Sequence, residues 1–165
     1  MAPAILFYDI VLAVHVMAVV VAFGVTFAYP VIETQIKRLQ PRALPTWHTV
    51  AAKVDGKLVT PAAALALFAG VYMASDRELF DRIWVQVPFA ALIIIFGAVG
   101  SFLTPQSRKL AELAARDVAA SPGDGAVTWS AEYEALSKRV AAVGAVMGGL
   151  ILLSIFLMVA KPGGY

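Results

Sequence analysis

Two histidines carry most of the side-chain chemistry in this 165-residue chain, which has no cysteine. His15 stands inside the apolar run FYDIVLAVHVMAVVVAFG, from Phe7 to Gly24. His48 opens HTVAAKVDGK, which also holds Lys53, Asp55 and Lys57. Without cysteine there are no disulfides, thiolate metal sites or cysteine nucleophiles. No phosphate loop, metal-spaced acid cluster or nucleophile triad is present, so no catalytic residue is assigned. An imidazole in a hydrocarbon-like run needs a partner, because an unpaired polar group there is costly. Two main readings of His15 follow. It fills a small-residue pocket and bonds Ser154 or a backbone carbonyl, or it offers a ring nitrogen to a haem b or another metal. Proton handling is a third role. Depth counting at about 1.5 Å per residue puts Ala66, Ile94 and Leu150 at its level. His48 falls eight or nine residues before the second apolar block, too far away to share an iron with His15. Met73, Met147 and Met158 lie at mixed depths, as packing residues do. Asp9, beside Tyr8, has Arg77, Arg82 or water as its candidate partners. Lys53 and Lys57 suit contacts with lipid phosphates.

These residues are positioned by four apolar blocks, at about Ile5–Tyr29, Leu58–Ser75, Trp84–Thr104 and Val140–Ala160. Each is near the roughly 20 residues that cross a bilayer. The chain is 61% hydrophobic with a mean hydropathy of +0.81, beyond the usual soluble range. The run VPFAALIIIFGAVGSFL lacks the polar residue every three or four positions that a soluble bundle helix shows. The expected fold is all-α: a polytopic membrane protein, one four-span bundle of two helical hairpins over residues 1–165.

Ten of the thirteen Lys and Arg residues fall in the first and third connections, 30–57 and 105–139. The positive-inside rule then places those connections in the cytoplasm and both termini outside. The first Lys or Arg is Lys37, so the basic region of a secretory signal is missing and the first span is expected to be retained. The net charge of +2 follows from these loops and does not indicate nucleic-acid binding. Trp84, Trp47 and Trp129 suit interfacial anchoring.

VIETQIKRL keeps helical spacing after Pro30, so a helix runs on past the first span until QPRALP breaks it. Pro45 suits the first turn of the next helix, and Pro61 is expected to kink the second span. QSRKLAELAARDVAA is amphipathic, with Leu110, Leu113, Ala114 and Val118 on one face and Arg108, Glu112 and Arg116 at i,i+4 spacing. It either lies on the inner leaflet or extends the third span. SPGDG is the clearest turn. FAYP (Phe27–Pro30) and FLTP (Phe102–Pro105) end the first and third spans, a weak sign of internal duplication.

Helices in lipid associate through close backbone approach. Ala62, Ala66, Gly70 and Ala74 make a small-residue stripe on the second span. Gly144 and Gly148, with Gly149 beside them, make another on the fourth. Either stripe serves packing within the chain, a homo-oligomer seam or a groove for a flat ligand.

His15 with VMAVVVAFG, the second span KLVTPAAALALFAGVYM, LTPQSRKLAELA after the third and the closing LILLSIFLMVAKPG together resemble a bacterial family of predicted four-span integral membrane proteins, a domain of unknown function. The resemblance covers nearly the whole chain, and FLMVAKPG (Phe156–Gly163) is its most specific part. More distantly, the early His and nearby Gly are similar to copper-resistance membrane proteins of the D type and to the membrane protoporphyrinogen oxidase family. That similarity implies copper or haem chemistry at His15. Those proteins often carry Trp-x-Gly-Gly after the His, where this chain has Ala22-Phe23-Gly24-Val25, so no catalytic residue is carried over. The functional expectation is a non-enzymatic accessory subunit or packing partner in the bacterial inner membrane. It would contact lipid and other membrane subunits or copies of itself. The alternatives are a haem-binding redox or porphyrin-handling protein centred on His15, and a small transporter.

Overall fold

Each apolar block forms part of one long helix. The computed structural model describes residues 7–123 and 126–164, and among them there is no strand. The helices are α1 (Phe7–Leu39), α2 (Pro41–Asp76), α3 (Ile83–Ala120) and α4 (Ala131–Ala160), all long and apolar enough to cross a membrane. The fold is an all-α four-helix bundle. Ile5, the expected start of the first span, lies outside the described residues, as do Asp124 and Gly125 of the SPGDG turn.

The outward surface is greasy. Phe68, Ile93, Ile94, Phe156 and Val159 are all exposed. That is the inverse of a water-soluble bundle, and it is the surface that lipid requires.

The apolar segments pack as two pairs. α1 lies along the second half of α2, and the first half of α3 lies along α4, while contacts between the pairs are sparse. These are the two hairpins of the chain. Ala63, Ala66, Ala69 and Ala74 of α2 are buried, as are Ala18 and Ala22 of α1. Small side chains on both sides let these two backbones approach closely.

The pairs are tied together at one end, called here the basic end. There the start of α2 packs on the end of α3, which packs in turn on the start of α4. Leu44, Leu110, Leu113, Ala114 and Tyr133 form its buried core, with Ile36, Trp47, Trp129, Leu136 and Val140 around them. The amphipathic segment after the third span thus extends α3 and spends its apolar face on other helices rather than on lipid. Arg42 hydrogen-bonds the carbonyls of Val118, Ser121 and Gly123, which caps the C-terminal end of α3. Asp117 accepts from the backbone N–H and hydroxyl of Ser130, both at 2.8 Å. Ser130 is the N-cap of α4, and its side chain accepts from the Tyr133 N–H. Arg116 pairs with Asp117 and with Glu132, and Lys109 with Glu132. The two pairs with Glu132 cross from α3 to α4, where i,i+4 pairs within one helix were expected.

Two helices change pitch where the apolar spans meet the basic end. α2 widens into a π-turn at Asp55–Val59 and α3 at Val99–Leu103. Thr60 N–H reaches back five residues to the Asp55 carbonyl, and Thr104 N–H to the Val99 carbonyl. Proline explains both. Pro61 and Pro105 follow immediately, and each lacks an N–H and crowds the carbonyl four residues before it. One extra residue in the turn relieves the clash, so the kink expected at Pro61 takes this form.

The tryptophans are not simple interfacial anchors. Trp84 is buried, donates its indole N–H to the Gly164 carbonyl at 3.2 Å and lies 5.3 Å from the Lys161 ammonium. Trp129 stacks on Tyr133 at 4.7 Å, and Trp47 meets Tyr29 edge-on at 5.5 Å.

Candidate functional site

His15 sits on the inner face of α1, 9% exposed, with Ala18 and Ala22 buried below it. It is eight residues, about 12 Å, into the described helix. Its Nδ1 lies 2.8 Å from the Ala66 carbonyl oxygen of α2. A carbonyl only accepts, so Nδ1 carries the proton, and in the neutral ring Nε2 carries the lone pair. The approach depends on Gly70, one helical turn beyond Ala66. A Cβ there would stand 3.2 Å from His15 Cε1 and 3.5 Å from Nδ1. The stripe residue Gly70 therefore makes room for an imidazole, while Ala66 supplies its acceptor.

Between the helix pairs, beside His15, is a cavity of about 60 Å³. All four helices line it: His15, Val19 and Phe23; Ala66; Pro88, Leu92 and Ile95; Ile151, Ser154, Ile155 and Met158. Of the expected depth neighbours, Ala66 meets the ring, whereas Ile94 is 54% exposed and faces outward. Ser154 shares the cavity, but its hydroxyl donates to the Leu150 carbonyl at 2.7 Å.

The orientation of His15 is the one metal-ligating histidines use, with Nδ1–H held by a carbonyl and Nε2 given no hydrogen-bond partner by the described residues. The space does not match a macrocycle. Pockets for ligands of that scale run to about 300–1,000 Å³, several times the cavity beside His15. His48 cannot help. It lies 18 residues before Ala66 along α2, roughly 27 Å of helix. Among the described residues there is no group of three or more His, Asp or Glu side chains able to hold a metal ion.

His48 has its own place in the basic-end core. It is buried, and its Nε2 lies 3.2 Å from the Tyr133 hydroxyl. Burial pushes its pKa down to about 4. Asp117, also buried, is held below the usual carboxylate range. Burial alone would raise it, but the two Ser130 hydrogen bonds and the Arg116 guanidinium outweigh that. Sequence reasoning passed over Asp117, Ser130 and Tyr133. The available signal was a Ser three residues before Tyr133 at the head of a long apolar helix.

Lys53 and Lys57 are exposed beside the α2 π-turn, where Asp55 accepts from the Tyr29 hydroxyl at 2.9 Å. A wider cleft of about 360 Å³ opens at the basic end beside Lys37, Arg38 and Trp129, but Lys37 is engaged with Glu134 at 2.6 Å. Near Asp9, the Arg77 guanidinium lies 4.3 Å over the Tyr8 ring.

The glycines divide by environment. Gly148 lies against Phe27, whose Cε1 would be 3.4 Å from a Cβ at that position. Gly24, Gly97, Gly100, Gly144 and Gly149 have nothing within 4 Å of that point, and all five are exposed. The fourth-span stripe therefore packs within the chain only at Gly148.

No protein-family model, characterised protein or solved structure matches this chain.

Proposed function

We propose that this protein is a non-enzymatic integral membrane protein of the bacterial inner membrane that packs against other membrane helices, as an accessory subunit or with copies of itself. The observation that carries the reading is the set of open glycine faces. A helix surrounded only by lipid gains nothing from glycine, which weakens a helix by roughly 0.5–1 kcal/mol relative to alanine. Close helix approach is what glycine gives in return. On α4, Ala141, Ala145 and Gly149 follow one another at four-residue spacing on the exposed side, and Gly97 and Ser101 do so on α3. The basic end faces the cytoplasm in this reading, with both termini outside.

The chain's lack of cysteine permits a clean test. A single cysteine at Ala145 should cross-link in native membranes to a second copy or to a different subunit. Gly149→Leu should abolish the product. A monomer with no cross-linked partner, unaltered by Gly149→Leu, would overturn the reading.

A further inference from the structure

We propose that His15 and the cavity between the helix pairs form a binding site for a lipid-soluble molecule that presents a hydroxyl donor, a hydrocarbon alcohol or phenol entering sideways from the bilayer. The chemistry follows from which protons are already committed. Nδ1–H of His15 is held by the Ala66 carbonyl, which leaves Nε2 as a lone pair. No described residue hydrogen-bonds Nε2, although His15 is nine-tenths buried. The proton of the Ser154 hydroxyl is held by Leu150. Both polar side chains lining the cavity therefore offer lone pairs, and the matching ligand group is a donor.

Water is an incomplete occupant. A water reaching both Nε2 and the Ser154 hydroxyl has only the minimum of two polar partners that a buried water needs. The remaining walls are almost wholly apolar, including Val19, Leu92, Ile151 and Ile155. The cavity takes the hydroxyl end of such a molecule, which satisfies Nε2 against these apolar walls, while the hydrocarbon remainder follows the seam between the helix pairs toward the bilayer. The route in is the seam itself. The two helix pairs touch sparsely, and Ile155, which lines the cavity, is 40% exposed on the outer surface. Parting of the pairs enlarges the site without breaking either tightly packed hairpin.

The test uses the full chain in nanodiscs with nitrogen-15-labelled histidine, and His48→Gln assigns the two rings. The unliganded His15 Nε2 should resonate as an unprotonated nitrogen. Adding 4-hexylphenol should move that resonance upfield, and 4-hexylanisole, its methyl ether, should not. 1-Decanol in a third arm separates the sources. A response to both hydroxyl compounds assigns any hydrocarbon alcohol, and a response to the phenol alone assigns an aromatic one. His15→Leu should weaken 4-hexylphenol binding about tenfold, the scale of one lost hydrogen bond. Should that variant fail to fold, Ile151→Phe fills the cavity while retaining His15 and should also remove the response. A protonated Nε2 in the unliganded protein, an equal shift with the ether, no shift with either hydroxyl compound, or full binding by Ile151→Phe would each overturn the proposal.

Discussion

At the scale of single residues, two histidines meet the same constraint in different surroundings. His15 relies on a glycine. Gly70→Ala gains about 0.5–1 kcal/mol of helix preference but presses on a ring that holds a hydrogen bond worth about 0.5–1.5 kcal/mol. The expected result is a melting temperature within a few degrees of the parent, with the His15 Nδ1–H signal displaced. Gly70→Leu, which adds four carbons where a Cβ alone would stand 3.2 Å from His15 Cε1, should lower thermal stability clearly. An unchanged His15 signal in both would show that the ring does not depend on Gly70. His48 relies on burial. Its folded pKa of about 4 lies below the ordinary histidine value of 6.5, so the unfolded chain takes up the proton first. The stability associated with neutral His48 is complete above about pH 6.5 and declines as the pH falls toward 4. Melting curves across that window should show the decline, and His48→Leu should flatten it.

Among the elements, each π-turn absorbs one extra residue, so the amphipathic extension beyond it keeps its facing toward the core. A π-turn is one residue inserted into an α-helix, and its removal need not rotate the flanking segments. Deleting Gly100 together with Pro105→Ala removes both the extra residue and the reason for it. That double change should leave Leu110, Leu113 and Ala114 buried and melting close to parental. Deleting Ala111 instead rotates the rest of α3 by about 100° and should dismantle the basic-end core. Equal damage from the two deletions, read by melting and by protease resistance of the basic end, would count against the proline account. The same core rests on the α4 cap. Asp117→Ala leaves the Ser130 N–H without its carboxylate and should cost about 1–2 kcal/mol, measured by unfolding in mild detergent.

For the whole molecule, the central fact is two tight pairs joined at one end. The proposed topology rests on the ten-to-three distribution of Lys and Arg between the ends. Single cysteines should place residues 121–128 in the cytoplasm and the tail after Lys161 outside. A tail labelled only from the cytoplasm would reverse the assignment. The proposed assembly rests on the outward glycines. Gly149→Leu should disturb association but leave the monomer fold intact, whereas Gly148→Leu should disturb the fold itself by driving against Phe27. Identical behaviour of the two variants in melting and cross-linking would remove the distinction that the geometry draws.

Much of the architecture was legible along the chain. Four apolar segments of bilayer length dictate four helices, because backbone groups in hydrocarbon must be satisfied within the helix. The alanine-rich face of α2 and the need of His15 for a partner were legible for the same reason. What the chain order leaves open is rotation and pairing. Lipid is as apolar as a protein core, so hydropathy cannot tell Gly148, against Phe27, from Gly149, against nothing. Periodicity showed the apolar face of the α3 extension but not whether membrane or protein would cover it. Only tertiary packing brought Tyr133 to His48, set the Ala66 carbonyl against Nδ1 and left Nε2 without a partner among the described residues. Each of those depends on the depth and rotation of one helix against another, which side-chain contacts between distant segments determine.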